Sequence, residues 1–379
     1  MKIAEVEVVQ LRIADPNISL FDGSYDICVV VVRTDTGIVG IGETESLPSA
    51  VRAIIDGPTS HSHARALRDV LIGQDPREPE ALWAEMYRAT DFIGRRGLVM
   101  HAIGGVDLAL WDIKGQAEGK PVSELLGQAH HERIPVYGTI YPMERTIDAV
   151  RAQLADARSL NLQAFKFCAD PWWMEDLSHT AKLLGAARDE AGPEARIIID
   201  AALSYGSVDE GLRLIPVLKE ADIWFLEAPL PLDDVEGHAR MAGNGIPLGV
   251  GDLGLTHVRE FVEMMDVGLA DICQPDISCV GGLTGVRQIA EAARERGKPV
   301  IPHGYKTSIL VAANAHFLAA QPEAEVIMEY SLSRSPLRWE TTAEALPVEP
   351  DGTVIVPRRP GLGVTLNEET VERYRWPQP

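Results

Sequence analysis

Residues Arg196–Ala201 read "RIIIDA": three consecutive isoleucines, then an aspartate. A short apolar run of this kind, ended by a charge, reads as a buried strand whose last side chain is polar. The pattern recurs on both sides of it. "IPVYGTI" (Ile134–Ile140) and "QAFKFC" (Gln163–Cys168) precede it. "IWFLEA" (Ile223–Ala228), "IPLGVGD" (Ile246–Asp252), "ADICQPD" (Ala270–Asp276), "PVIPHG" (Pro299–Gly304) and "EVIMEY" (Glu325–Tyr330) follow. These eight runs lie roughly 25–30 residues apart and alternate with helical stretches, the repeat of parallel strands joined by crossover helices in a (β/α)8 barrel.

Upstream the pattern differs. "IAEVEVVQLRI" and "ICVVVVRTDTGIVGIGE" read as an antiparallel meander turned at "TDTG". "HARALRDVLIG", "PEALWAEMYRAT" and the long "GLVMHAIGGVDLALWDIKGQAEG" carry helical periodicity. The expected architecture is α/β: a TIM barrel over 129–344, an N-terminal α+β capping domain over 1–128, and a segment over 345–379 ("PVEPDGTVIVPRRPGLGV" within it) that returns to the capping domain.

Composition sets the boundaries of function. The chain has 379 residues, 46% of them hydrophobic, and a net charge of −21. That charge argues against nucleic acid and anionic membrane as partners, which need a basic footprint. The four cysteines (Cys28, Cys168, Cys273, Cys279) form no CxxC pair, so a zinc or redox motif is not expected. The N-terminus alternates apolar and polar residues without an apolar h-region, and no apolar run approaches ~18 residues. A soluble cytoplasmic protein, assembling as a homo-oligomer, is the expectation.

The strand ends carry the chemistry. They supply Lys166 and Cys168, Asp200, Glu227, Asp252, Asp276, His303 and Glu329 in succession, and C-terminal strand ends form the active face of this fold. Adjacent strands lie about 4.8 Å apart, so Asp200, Glu227 and Asp252 converge. Three such carboxylates do not all ionise without a cation. All-oxygen ligands suit Mg²⁺, tolerate Mn²⁺ and disfavour zinc. Asp276 beside His303 fixes the imidazole tautomer and raises its basicity, as a general base requires. Glu329 is expected to donate to, or hydrogen-bond, a substrate oxygen, and Lys306 is a further candidate for the substrate pocket; the bland alternative pairs the two. Tyr141, Trp172, Trp173 and Tyr205 are candidates to stack on a sugar chain or to pack against the capping domain. The capping loops 17–25 and 46–55 are expected to enclose the substrate. His61 and His63 read as a solvated turn, Arg95 and Arg96 as structural ion pairs, and Trp111, Asp112 and Lys114 as domain-junction packing.

In this order these residues resemble the enolase superfamily and, within it, the mandelate racemase subgroup. The likeness runs through "GIVGIGETES", "MHAIGGVDLALWDIKGQAEGKPVSELLG" and the closing "PGLGV". It implies Mg²⁺ on Asp200, Glu227 and Asp252, an Asp276–His303 dyad, Lys166 against the substrate carboxylate, and Glu329 as an electrophilic group. It also implies proton abstraction α to a carboxylate through an enediolate. The sequence departs from the pattern at three places. Cys168 replaces the second lysine of a Lys-x-Lys pair, Ala202 replaces the Asn of Asp-x-Asn, and Asp252 replaces a Glu.

Racemisation needs a base on each face, and with that lysine gone His303 is the one obvious base. This favours dehydration of an acid sugar to a 2-keto-3-deoxy acid, where one His serves as base and then acid. Cys168 is read as a space-maker for a larger substrate; a thiolate base and an inert position stay open. Racemase, epimerase or cycloisomerase activity is the alternative, and a non-catalytic metal- or ligand-binding homologue the second.

Overall fold

A computed structural model describes residues 1–16, 23–169, 171–202, 206–252 and 254–376. Tyr205 and most of the first capping loop (17–22) lie outside the described residues. Strands β1 (Ile3–Arg12), β2 (Asp26–Thr34) and β3 (Val39–Thr44) form an antiparallel meander. Helices α1 (Pro48–Asp56), α2 (Leu67–Leu71), α3 (Pro79–Ala89), α4 (Leu98–Glu118) and α5 (Val122–Leu126) follow. α4 is apolar on nearly every face because it is buried between the meander and the barrel. Its approach to β3 is so close that a Cβ at Gly42 would sit 2.0 Å from the Gly105 carbonyl oxygen, which explains a glycine there.

The barrel uses β4 (Arg133–Ile140), β5 (Ala164–Cys168), β6 (Arg196–Asp200), β7 (Phe225–Glu227), β8 (Leu248–Val250) and β9 (Ile272–Cys273), paired in parallel in that order. Helices α6 (Ile147–Ser159), α7 (Leu177–Ala191), α8 (Val208–Glu220), α9 (Val235–Met241), α10 (Val258–Asp266) and α11 (Gly282–Glu295) wrap the outside. The expected seventh strand, "PVIPHG", is reduced to two parallel bridges, Val300 to Cys273 and His303 to Asp276. Its prolines at 299 and 302 have no N–H, so a full ladder cannot form. After α12 (Ser308–Ala319), β10 (Met328–Ser331) pairs with β4 and closes the ring. Beyond α13 (Pro336–Glu340), β11 (Thr353–Ile355) adds antiparallel to β4. The chain then bridges Gly361 to Pro121, and after α14 (Glu368–Tyr374) Arg375 bridges Leu11 of the meander.

Inside the ring, Tyr137, Ala164, Ile198, Phe225, Ile272, Ile301 and Ile327 pack into one apolar layer. Side chains alternate across a strand, so the residue two positions later points inward again, one layer higher. From those seven, that rule gives Thr139, Lys166, Asp200, Glu227, Gln274, His303 and Glu329. The apolar layer is thus the floor that aims the polar one.

Candidate active site

Lys166 is buried at the centre of this polar layer. Its Nζ lies 2.6 Å from Glu227 Oε1, 2.9 Å from Glu329 Oε1 and 3.4 Å from Asp200 Oδ2. Burial alone would lower its pKa, but Glu227 and Glu329 outweigh it and hold the ammonium charged. Glu329 also accepts from Thr139 Oγ1 and, at 2.9 Å, from the Gly304 amide. Burial pushes Glu329 up, yet Lys166 and His303 bring its pKa down to about 2, so it is a carboxylate. The pairing of Glu329 with Lys306 is not formed. Lys306 Nζ lies 3.5 Å from Glu45 Oε1, because the βα loop after the seventh strand rises towards the capping domain.

Asp200, Glu227 and Asp252 each offer an oxygen within 4.8 Å of the others, in a buried cluster that could hold a metal ion. Asp200 and Glu227 are register partners on β6 and β7. Gln274 Nε2 donates to Glu227 Oε2 at 2.6 Å. Its amide reaches across β8 only because residue 249 is glycine: a Cβ there would sit 2.0 Å from Gln274 Oε1. Both oxygens of Asp252 are buried without a hydrogen-bond partner. Burial, then Asp200, raise the Asp252 pKa to about 7, and burial raises Glu227 well above the carboxylate range despite Lys166. Acceptors left unpaired among other carboxylates are costly unless a cation meets them. The all-oxygen set therefore fits a hard divalent ion, although Asp252 has the shorter arm.

Two sharp backbone turns hold two of these carboxylates. Ala202 (φ 46°) and Ala228 (φ 44°) follow Asp200 and Glu227 in the left-handed region, which disfavours residues with a Cβ. The Asn expected at 202 from the resemblance would suit that conformation. Here Ala202 fills it, its amide donating to Asp200 Oδ1 at 2.8 Å.

Across the site, His303 Nδ1 lies 2.7 Å from Asp276 Oδ2, and Nε2 lies 3.5 Å from Glu329 Oε2. Burial would lower the imidazole pKa, but Glu329 and Asp276 together raise it well above the ordinary value. Asp276 is itself fixed: Ser278 donates to its Oδ1 from the amide at 2.7 Å and from Oγ at 2.5 Å.

Cys168 Sγ lies 3.6 Å from Asp200 Oδ2. Burial, then Asp200, push its pKa well above that of a free thiol, so a resting thiolate is disfavoured. Trp172 lies under the Arg145 guanidinium, 5.0 Å from its ring centre, and packs against the main core. Trp173 is fully buried, and Tyr141 is half-buried directly after β4. His61 and His63 are exposed, the latter 3.1 Å from Asp91. Arg96 pairs with Glu260, and Trp111 donates to Thr284 across the domain junction. Sequence reasoning missed Gln274, Thr139, Ser278 and Glu45. Gln274 and Thr139 were open to the same two-residue rule, being inward-facing polar residues near strand ends.

Residues 149–370 match the enolase C-terminal domain-like family, and residues 16–127 match the mandelate racemase/muconate lactonizing enzyme N-terminal domain. The chain is 32% identical to a D-galactarolactone cycloisomerase from Agrobacterium fabrum over 363 residues, 93% of this chain and 92% of that protein. It is 30% identical to an arabinonate dehydratase from Saccharolobus solfataricus over 360 residues, 94% of this chain and 92% of that one. A racemase from Streptomyces coelicolor with bound magnesium superposes with a TM-score of 0.85 at 27% identity, covering 98% of this chain and 99% of that one.

Proposed function

Because the chain belongs to the mandelate racemase/muconate lactonizing enzyme family of enolase-like proteins, we propose that it dehydrates an acid sugar to a 2-keto-3-deoxy acid. Asp200, Glu227 and Asp252 would hold Mg²⁺, or Mn²⁺ in its place. Bound there, the ion supplies Lewis-acid charge against the negative charge that builds on the substrate carboxylate. Lys166 adds a fixed positive charge on the same side. His303 Nε2 takes the α-proton while Asp276 holds Nδ1. His303 then returns a proton to the departing β-hydroxyl, and water leaves from the same face. Glu329 orients both Lys166 and His303.

The observation that supports this reading is the His303–Asp276 pair on one side of the site. His303 faces the site with its tautomer fixed, whereas Lys166 is committed to three carboxylates and the Cys168 thiol is pushed upward. Cycloisomerisation is the second reading, supported by the relative from Agrobacterium fabrum, and it too needs a single base. The test is incubation with Mg²⁺ and a panel of acid sugars and their lactones in D₂O, followed by proton NMR. A new 3-deoxy methylene signal, abolished by EDTA, is the expected result. The same signal arising from a lactone but not from the open-chain acids would establish the second reading, because expulsion of the ring oxygen from the β-carbon leaves the same methylene. Epimer formation with α-deuteration would defeat both.

A further inference from the structure

Among the described residues, a carboxylate of the capping domain, Glu45, reaches the edge of the site. Three consecutive residues at the end of β3 dock on the loops after the sixth and seventh strands. Glu43 accepts from the Thr307 amide at 3.0 Å and from Thr307 Oγ1 at 2.5 Å. Thr44 Oγ1 donates to the Ser278 carbonyl at 3.1 Å. The Glu45 amide donates to Ser278 Oγ at 3.0 Å, and Cys279 Sγ donates to the Glu45 carbonyl at 3.3 Å. The Glu45 backbone is therefore held against the loop that carries Asp276, and the same Ser278 hydroxyl donates onward to Asp276.

The Glu45 side chain is held on one side only. Oε1 lies 3.5 Å from Lys306 Nζ, while Oε2 is buried without a hydrogen-bond partner. A Glu45 oxygen, a His303 ring nitrogen and an Asp276 oxygen all lie within 4.8 Å of one another. The side chain as a whole is 26% exposed, so it stands at an accessible edge of the dyad. A carboxylate offers acceptors only. Next to Asp276, the group that satisfies it is an O–H donor; a second substrate carboxylate would meet two like charges there.

We propose that Glu45 binds a hydroxyl of the substrate's carbon chain and is a specificity-determining residue of the site. The inference rests on the acid-sugar reading above. Lys306 acts through it, as the positioning residue that fixes the orientation of the carboxylate.

The test measures kcat/KM for wild type, Glu45→Gln and Glu45→Ala on the aldonate the wild type turns over fastest and on its mono-deoxy analogues. A charged hydrogen bond of ordinary strength predicts a loss of about 10- to 100-fold in Glu45→Ala on the parent sugar. The analogue lacking the contacted hydroxyl loses less than about threefold by the same substitution. Glu45→Gln, which keeps one acceptor, falls between. Thermal melting of each variant reports folding, and because each comparison is made within one variant, a loss of folded protein cancels from the ratio. An equal loss on the parent and every analogue overturns the inference. So does the loss of a second bound Mg²⁺ in Glu45→Ala by calorimetry, which would make Glu45, Asp276 and His303 a cation site. Wild-type silence on all acid sugars would instead defeat the functional reading on which the inference stands.

Discussion

The two ends of the barrel are built from the same strands and obey opposite rules. At the N-terminal end, Ile198, Phe225, Ile272, Ile301 and Ile327 pack against one another. The charges around that end are matched: Arg196 with Glu325, Lys298 with Asp271, Arg294 with Glu323. Two residues further along the strands stand Asp200, Glu227, His303 and Glu329, buried as deeply but ionisable. There, acceptors on Asp252, Gln274 and Glu45 have no partner. The first end pairs the charges around it and buries mostly apolar groups, the unpartnered Tyr137 hydroxyl being an exception, and it serves stability. The other leaves groups waiting for a ligand and serves chemistry.

The widest separation of the two ends comes from His303→Asn. Removing a general base costs about 10²–10⁴ in rate. Proton exchange at the substrate α-carbon, followed by NMR, is expected to fall by that factor. The melting temperature is expected to stay within a few degrees, since Asn keeps a donor for Asp276. Exchange at the wild-type rate would show that the base lies elsewhere.

Ile198→Ala tests the floor. Truncating a buried isoleucine in a packed layer costs roughly 2–5 kcal/mol, read from denaturant unfolding. The expected kcat per folded molecule is nevertheless close to that of wild type, because Asp200 is held by its own strand register and by the Ala202 amide. A collapse of kcat in protein shown to be folded would mean that the floor tunes the ligands, and that the ends are not separable.

The same contrast decides what the sequence makes legible. A strand that ends in a charge after an apolar run announces itself, because the two-residue alternation is local. Asp200, Glu227 and Lys166 were readable in that way. Asp276 and His303 were readable despite a strand that prolines reduce to two bridges. What stayed hidden depends on separations that no local period encodes. Glu45 meets Lys306 and Ser278 across more than two hundred residues of chain, and Gln274 reaches Glu227 over a glycine on the intervening strand. The partner of Lys306 was hidden for the same reason: Glu45 belongs to another domain.

The pH-dependent effect is the most diagnostic of the functional end. In metal-free protein Asp252 has a pKa near 7, above the ordinary 3.8, through burial and then Asp200. A carboxyl whose folded pKa is raised binds its proton more tightly when folded. The folded state thus binds more protons than the unfolded state between those two values, and stability falls as pH rises through that window. Asp252→Asn cannot ionise. With EDTA present, the wild type is expected to lose stability between about pH 4 and pH 7 relative to Asp252→Asn, by up to about 4 kcal/mol at pH 7. Saturating Mg²⁺ should reverse the order, because only the wild-type carboxylate stabilises the bound ion. Parallel stability curves for the two proteins with and without metal would mean that Asp252 already has a partner. The unsatisfied end of the barrel would then be smaller by one of its three clustered carboxylates.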